Sequence, residues 1–143
     1  MNEHNSDRGT RQRRLDALRD ALDEALLASD FAWWEWDIAR NLVAFNDLKV
    51  TMLGYDPADF RDVGYEAFTN LLHPEDYERT MQAMRDHLEG RAAIYQVDYR
   101  IQRADGTYEW YMDRGCTIDR DTEGKPARLR GLVVDLGSEF KKR

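Results

Sequence analysis

The side chains able to do chemistry in this chain are few, and their spacing does not assemble a catalytic signature. None of its three histidines, His4, His73 and His87, stands in an HExxH arrangement, which would set two imidazoles and a glutamate on one helical face around a metal. No GxGxxG or GxxxxGK[ST] run occurs among the nine glycines, so no phosphate cradle is signalled. The single cysteine, Cys116, can neither close an internal disulfide nor supply a cysteine zinc cluster. The chain is rich instead in aromatics: Trp34, Trp36, Phe45, Phe60, Phe68, Tyr99 and Trp110 pack a core first and can line an apolar cavity second.

Such side chains act together only if regular elements aim them at one place. Residues 1–10 are polar and aperiodic and predict a flexible start. Over residues 11–30, Leu15, Leu18, Leu22 and Ala25 recur at spacings of three and four, the stripe of an amphipathic flanking helix. That seam is too short to stand as a free coiled coil, so it must dock on its own domain, on a second copy, or on both. Strands are predicted over 31–38 and 42–45, close enough to form a hairpin. Three helix starts follow, at Asn46, at Asp56-Pro57 and at His73-Pro74-Glu75-Asp76, each with a capping side chain, a helix-initiating proline, or both. The last helix presents Tyr77, Met81, Met84 and Leu88 on one face and stops before Gly90. Strands over 94–103 and 107–118, joined at Asp105-Gly106, and a final strand over 128–136 complete an antiparallel meander.

The order of elements predicts an α+β fold, one sheet whose apolar face is covered by short helices. A length of 143 residues favours one domain, and a hydrophobic fraction of 42% suffices for its core. A formal charge of -7 lacks the basic field that nucleic-acid binding needs. No apolar run approaches the ~18 residues of a membrane span, so the expected location is cytoplasmic.

Within this order stand Trp34-Glu35-Trp36-Asp37, Leu53-Gly54-Tyr55, His73-Pro74-Glu75-Asp76, Tyr99-Arg100-Ile101, Asp105-Gly106, Trp110, Arg114-Gly115, Asp121 with Gly124-Lys125-Pro126, and Gly131 with Asp135. Together they resemble a Per-Arnt-Sim (PAS) sensory domain of the bacterial subgroup with a C-terminal PAC motif and a W-x-W-D first strand. The resemblance runs from about Ala32 to Asp135, within a PAS domain expected over residues 31–136, and implies a five-stranded antiparallel sheet curved over short helices. It also implies a non-catalytic sensor of the two-component type, coupled by flanking helices to an output domain such as a histidine kinase or diguanylate cyclase. Residues 137–143 form an exit segment, where Asp135-Leu136-Gly137-Ser138 replaces the Asp-Ile-Thr common in the family.

Period-two phasing turns Trp34, Trp36, Tyr99 and Trp110 to one face, with Met81 and Met84 closing the other side and Phe45, Phe60 and Phe68 completing the aromatic set. The resemblance adds Val133, two positions after Gly131, as a residue looking into the cavity. This lining suits a small, mostly neutral aromatic or fatty molecule, with homodimerisation through Leu15, Leu18, Leu22 and Ala25 as a second expected association. The resemblance also raises haem and flavin, and the sequence favours neither. His73 serves better as a helix start and His87 as a surface imidazole at a helix end. Flavin photosensors of the family place their reactive cysteine on the helices, whereas Cys116 falls on a strand and is expected as an inert buried thiol; Val133 stands where flavin binders carry an amide. Two other readings stay open: a ligand-free adaptor, and a small enzyme of ketosteroid-isomerase-like cone shape. The enzyme needs an inward carboxylate or tyrosine, and the alternation turns Asp98 and Asp113 outward.

Overall fold

The computed structural model describes residues 3–28 and 31–140, with side chains for 7–21 and 31–140. The chain divides into two compact units, Met1–Asp30 and Phe31–Arg143. The first is one helix, α1 (Glu3–Ala28), which extends into the stretch whose composition predicts a flexible start. Leu15 and Leu18 are exposed on it. The side chains of Leu22 and Ala25, the other half of the predicted seam, lie outside the described residues.

The second unit runs β1 (Ala32–Asp37), β2 (Leu42–Phe45), α2 (Leu48–Thr51), a 3₁₀ turn (Pro57–Phe60), α3 (Glu66–Thr69), α4 (Pro74–Leu88), β3 (Tyr95–Gln102), β4 (Tyr108–Arg120) and β5 (Pro126–Gly137). Its five strands form one antiparallel sheet in the order β2-β1-β5-β4-β3. The last strand therefore lies between the first and the fourth, and the two hairpins flank it.

Local chemistry sets the boundaries of these elements. His73 accepts a hydrogen bond at Nδ1 from the backbone N–H of Glu75 (3.1 Å), and Pro74 occupies the first helical position of α4. Asp56 caps the 3₁₀ turn through the N–H of Ala58 (3.0 Å), and Tyr55 packs edge-on to Phe60 at 5.4 Å. Asn46 departs from its predicted role. Its side chain accepts from the N–H of Trp33 and donates to the carbonyl of Phe31, both at 3.0 Å, which pins β1 rather than capping α2. The helix α3 was not signalled by the sequence: four residues are too short for a periodic stripe.

The inner face of the sheet is organised around Trp34. Trp34 pairs with Phe45 on one side and Gly131 on the other, and Gly131 pairs in turn with Gly115. A Cβ at Gly131 would overlap the Trp34 indole, and one at Gly115 would lie 2.8 Å from it. The two glycines let the indole lie flat across two strands and meet Tyr95 edge-on at 6.3 Å. Around it the buried core gathers Val97, Tyr99, Ile101, Tyr111, Leu129 and Val133 with Leu53 and Leu72 from the helical side.

The phase of β4 differs from the predicted one. Glu109, Tyr111, Asp113 and Gly115 face inward and are buried, while Trp110, Met112, Arg114 and Cys116 take the other face. Trp110 thus lies outside the core, against Phe140 at 5.7 Å and under the Arg100 guanidinium at 5.0 Å. Cys116 is exposed rather than buried. On chemical type alone Trp110, Met112 and Cys116 look like the interior set. The polar residues opposite them win because each buried carboxylate finds donors and because only glycine fits beneath Trp34.

Candidate functional site

Between the inner face of the sheet and the helices lies a cavity of about 360 Å³. β1 contributes Trp34 and Trp36, β3 contributes Tyr95, Tyr99 and Ile101, and α4 contributes Thr80, Met81, Met84 and Leu88. α2 and α3 supply Lys49, Phe68 and Thr69, and β4 supplies Asp113. Of the predicted lining, Trp34, Trp36, Phe68, Met81, Met84 and Tyr99 meet here. Phe45 and Phe60 stand behind the wall, packing on Phe68 at 5.4 and 5.5 Å. Val133 is buried in the core rather than on the cavity wall, and Trp110 is on the opposite face of the sheet.

Two polar residues of the cavity wall, Asp113 and Lys49, were missed by sequence reasoning. Asp113, expected to face solvent, is buried and accepts hydrogen bonds from the Trp34 indole N–H (2.7 Å) and the Tyr99 hydroxyl (2.9 Å). Burial pushes its carboxyl up, against the opposing pull of Lys49, Trp34 and Tyr99. Burial also raises the Tyr99 phenol well above its ordinary value, with the Asp113 charge adding to it, so Tyr99 stays a donor. Lys49, only 4% exposed, lies with its ammonium 3.9 Å from the centre of the Phe68 ring. Burial lowers its pKa to about 8, partly offset by Asp113. A lone lysine in a four-residue helix carries no periodicity that would flag it. Asp113 was legible only as a carboxylate whose strand phase decided its role.

Neither haem ligation nor covalent flavin chemistry fits these residues. Both nitrogens of His87 are engaged, Nδ1 on the carbonyl of Ala92 (3.0 Å) and Nε2 accepting from the N–H of Thr117 (3.1 Å), so no ring nitrogen is open to iron. His73 is occupied as the α4 cap. Cys116 lies on the far side of β4 and cannot attack a flavin held in the cavity.

The sequence matches the PAS fold family over residues 43–133, well over half of the chain, and the protein belongs to that family. Among solved structures it resembles a sensory box histidine kinase/response regulator from Burkholderia thailandensis, at 25% identity and a TM-score of 0.67, covering 81% of this chain and 84% of that one. It also resembles the N-terminal domain of a diguanylate cyclase with PAS/PAC sensor from Marinobacter aquaeolei, at 22% identity and 0.66, covering 75% and 95%. A third similar structure is the LOV domain of a blue-light activated histidine kinase from Erythrobacter litoralis, at 20% identity and 0.55, covering 75% and 96%. No curated protein sequence matches the chain. No helix among the described residues is long and apolar enough to cross a membrane.

Proposed function

We propose that this chain is a signalling input module: a cytoplasmic PAS sensor that takes a small, largely apolar molecule into its cavity. It passes the resulting change through α1 and the end of β5 to an output such as a histidine kinase or diguanylate cyclase, and it works as a homodimer. The observation that carries this reading is the cavity itself, a space of about 360 Å³ with a mainly aromatic and thioether wall set between sheet and helices. At about 30 Å³ for a water-sized group, that is room for on the order of a dozen non-hydrogen atoms. Binding shifts populations only if the ligand has different affinities for two arrangements of the domain, and a cavity roofed by short helices is the element able to have two. Native mass spectrometry of freshly purified protein, followed by a thermal-shift screen of aromatic and alkyl compounds, tests it. A retained molecule or a stabilising compound is expected, and Met84→Trp, which fills the cavity, should abolish either. If the screen yields nothing, the ligand-free adaptor takes its place.

A second reading, a small pocket enzyme, gains support from Asp113, because the inward carboxylate that such an enzyme needs is present beside Tyr99. Recovery of the bound molecule chemically altered after prolonged incubation would favour it over sensing.

A further inference from the structure

We propose that Lys49 anchors the ligand of this cavity, and that the ligand is an apolar monocarboxylate whose head group accepts hydrogen bonds from the Lys49 ammonium. The proposal rests on reading the cavity as a ligand site and names what that ligand must carry.

Lys49 lines the cavity, is 4% exposed, and among the described residues no oxygen or nitrogen accepts a hydrogen bond from its ammonium. Its one close partner is the face of Phe68, which offers attraction to a cation but no acceptor for three N–H donors. The side chain as a whole is buried, yet its ammonium is not among the fully enclosed polar atoms without a partner, so its unused donors are open to the cavity it lines. The nearby anion does not take them up. Asp113 attracts Lys49 through space, yet its two oxygens are held by the Trp34 indole and the Tyr99 hydroxyl, and the two side chains form no direct ion pair. The other cation of the wall, Arg85, is already bound by Glu78 and Gln82. The wall therefore lacks one acceptor, at Lys49.

A carboxylate fills that place better than a neutral carbonyl because a hydrogen bond with charge on both sides is roughly twice as strong as a neutral one. The repulsion expected from Asp113 is limited, because its two oxygens are already engaged by the Trp34 indole and the Tyr99 hydroxyl, which offset its charge locally. A dicarboxylate finds no second free cation, since Arg85 is engaged. Away from Lys49 the wall is Trp36, Met81, Met84 and Leu88, which calls for an aryl or alkyl body.

The test uses the full chain with two matched pairs, 4-phenylbutyrate against 4-phenylbutyramide and octanoate against octanamide, titrated at pH 7 by calorimetry and by tryptophan fluorescence. Each acid should bind at least tenfold more tightly than its amide. Lys49→Met should abolish that preference while leaving amide affinity within about threefold, and Lys49→Arg should retain part of it. Acid and amide binding equally, or a preference surviving in Lys49→Met, would overturn the anchor while leaving the cavity as a ligand site. Binding of none of the four would count against the ligand site itself and take the anchor with it. Circular dichroism of each variant separates a lost preference from a lost fold, and Lys49→Gln repeats the test should Lys49→Met misfold.

Discussion

A lysine buried without an acceptor weakens the fold that contains it, and for Lys49 that cost depends on pH in a definite direction. Burial lowers its pKa from 10.5 to about 8, with Asp113 opposing. The folded protein thus releases this proton at lower pH than the unfolded chain, so stability contributed by Lys49 is lowest at neutral pH and rises between about pH 8 and 10. The gain is at most about 1.4 kcal/mol for each pH unit in that window. Lys49→Met should be more stable than the parent at pH 7 and should lose the rise, as urea denaturation at pH 7, 8, 9 and 10 would measure. An unchanged slope in the variant would assign the rise to another group. A site residue that costs stability in the empty state is expected where binding supplies the missing partner.

At the scale of elements, the strand β4 carries the main disagreement between pattern and fold. Shifting a strand by one residue exchanges its faces, so the misplacement of Trp110, Asp113 and Cys116 is a single error with three consequences. Cys116 offers a direct check: in native protein it should react stoichiometrically with a thiol reagent such as Ellman's at a rate close to that in urea, whereas a buried thiol would lag by orders of magnitude. The helix α4 is tied to β3 by another buried carboxylate. Asp76 accepts from the backbone N–H of Arg100 (2.8 Å) and from its guanidinium (2.9 Å), with Arg79 at 3.2 Å. Burial alone would raise Asp76, but these bonds, chiefly from Arg100, outweigh it and hold the carboxyl at about 2. Its contribution is complete above the ordinary carboxylate value of 3.8 and is lost as pH falls toward 2. Asp76→Ala leaves Arg100 without its main partner and should cost about 3 kcal/mol near neutral pH, with the difference from the parent shrinking on acidification.

For the whole molecule, the sensing reading requires that a change at the cavity reach both ends of the domain. Asp113 stands on the cavity wall and pairs with Val133 of β5, and that strand runs on to Gly137, with Ser138 directly after it. Ser138 donates to Glu109 (2.9 Å) and accepts from Arg103 (2.8 Å), while Arg103 also pairs with Glu109, so the exit segment is fastened to β4 by side chains. The other end is α1, whose exposed Leu15 and Leu18 are apolar surface worth covering at roughly 25 cal/mol per Å². We expect a dimer in sedimentation equilibrium and a monomer for Leu15→Glu/Leu18→Glu. A monomeric parent, or an unaltered mass in the double variant, would remove α1 from the dimer contact.

The sequence alone determined the features that depend on near neighbours. The caps at Asp56 and His73, the hairpin turn at Asp105-Gly106 and the alternation of β3 follow from side chains within a few residues of the backbone groups they satisfy. Their order along the chain, with the quoted motifs, sufficed to recognise the PAS fold. The face of β4 that turns inward depended instead on partners far along the chain: Trp34 lies 79 residues from the Asp113 carboxylate it donates to. No pattern read along one strand contains that contact, and the most apolar alternation pointed the other way. Lys49 was silent for the same reason. A charged side chain in a short helix reads as solvated until the tertiary structure closes Phe68 and the sheet around it, and only then does the cavity acquire a cation in need of a partner.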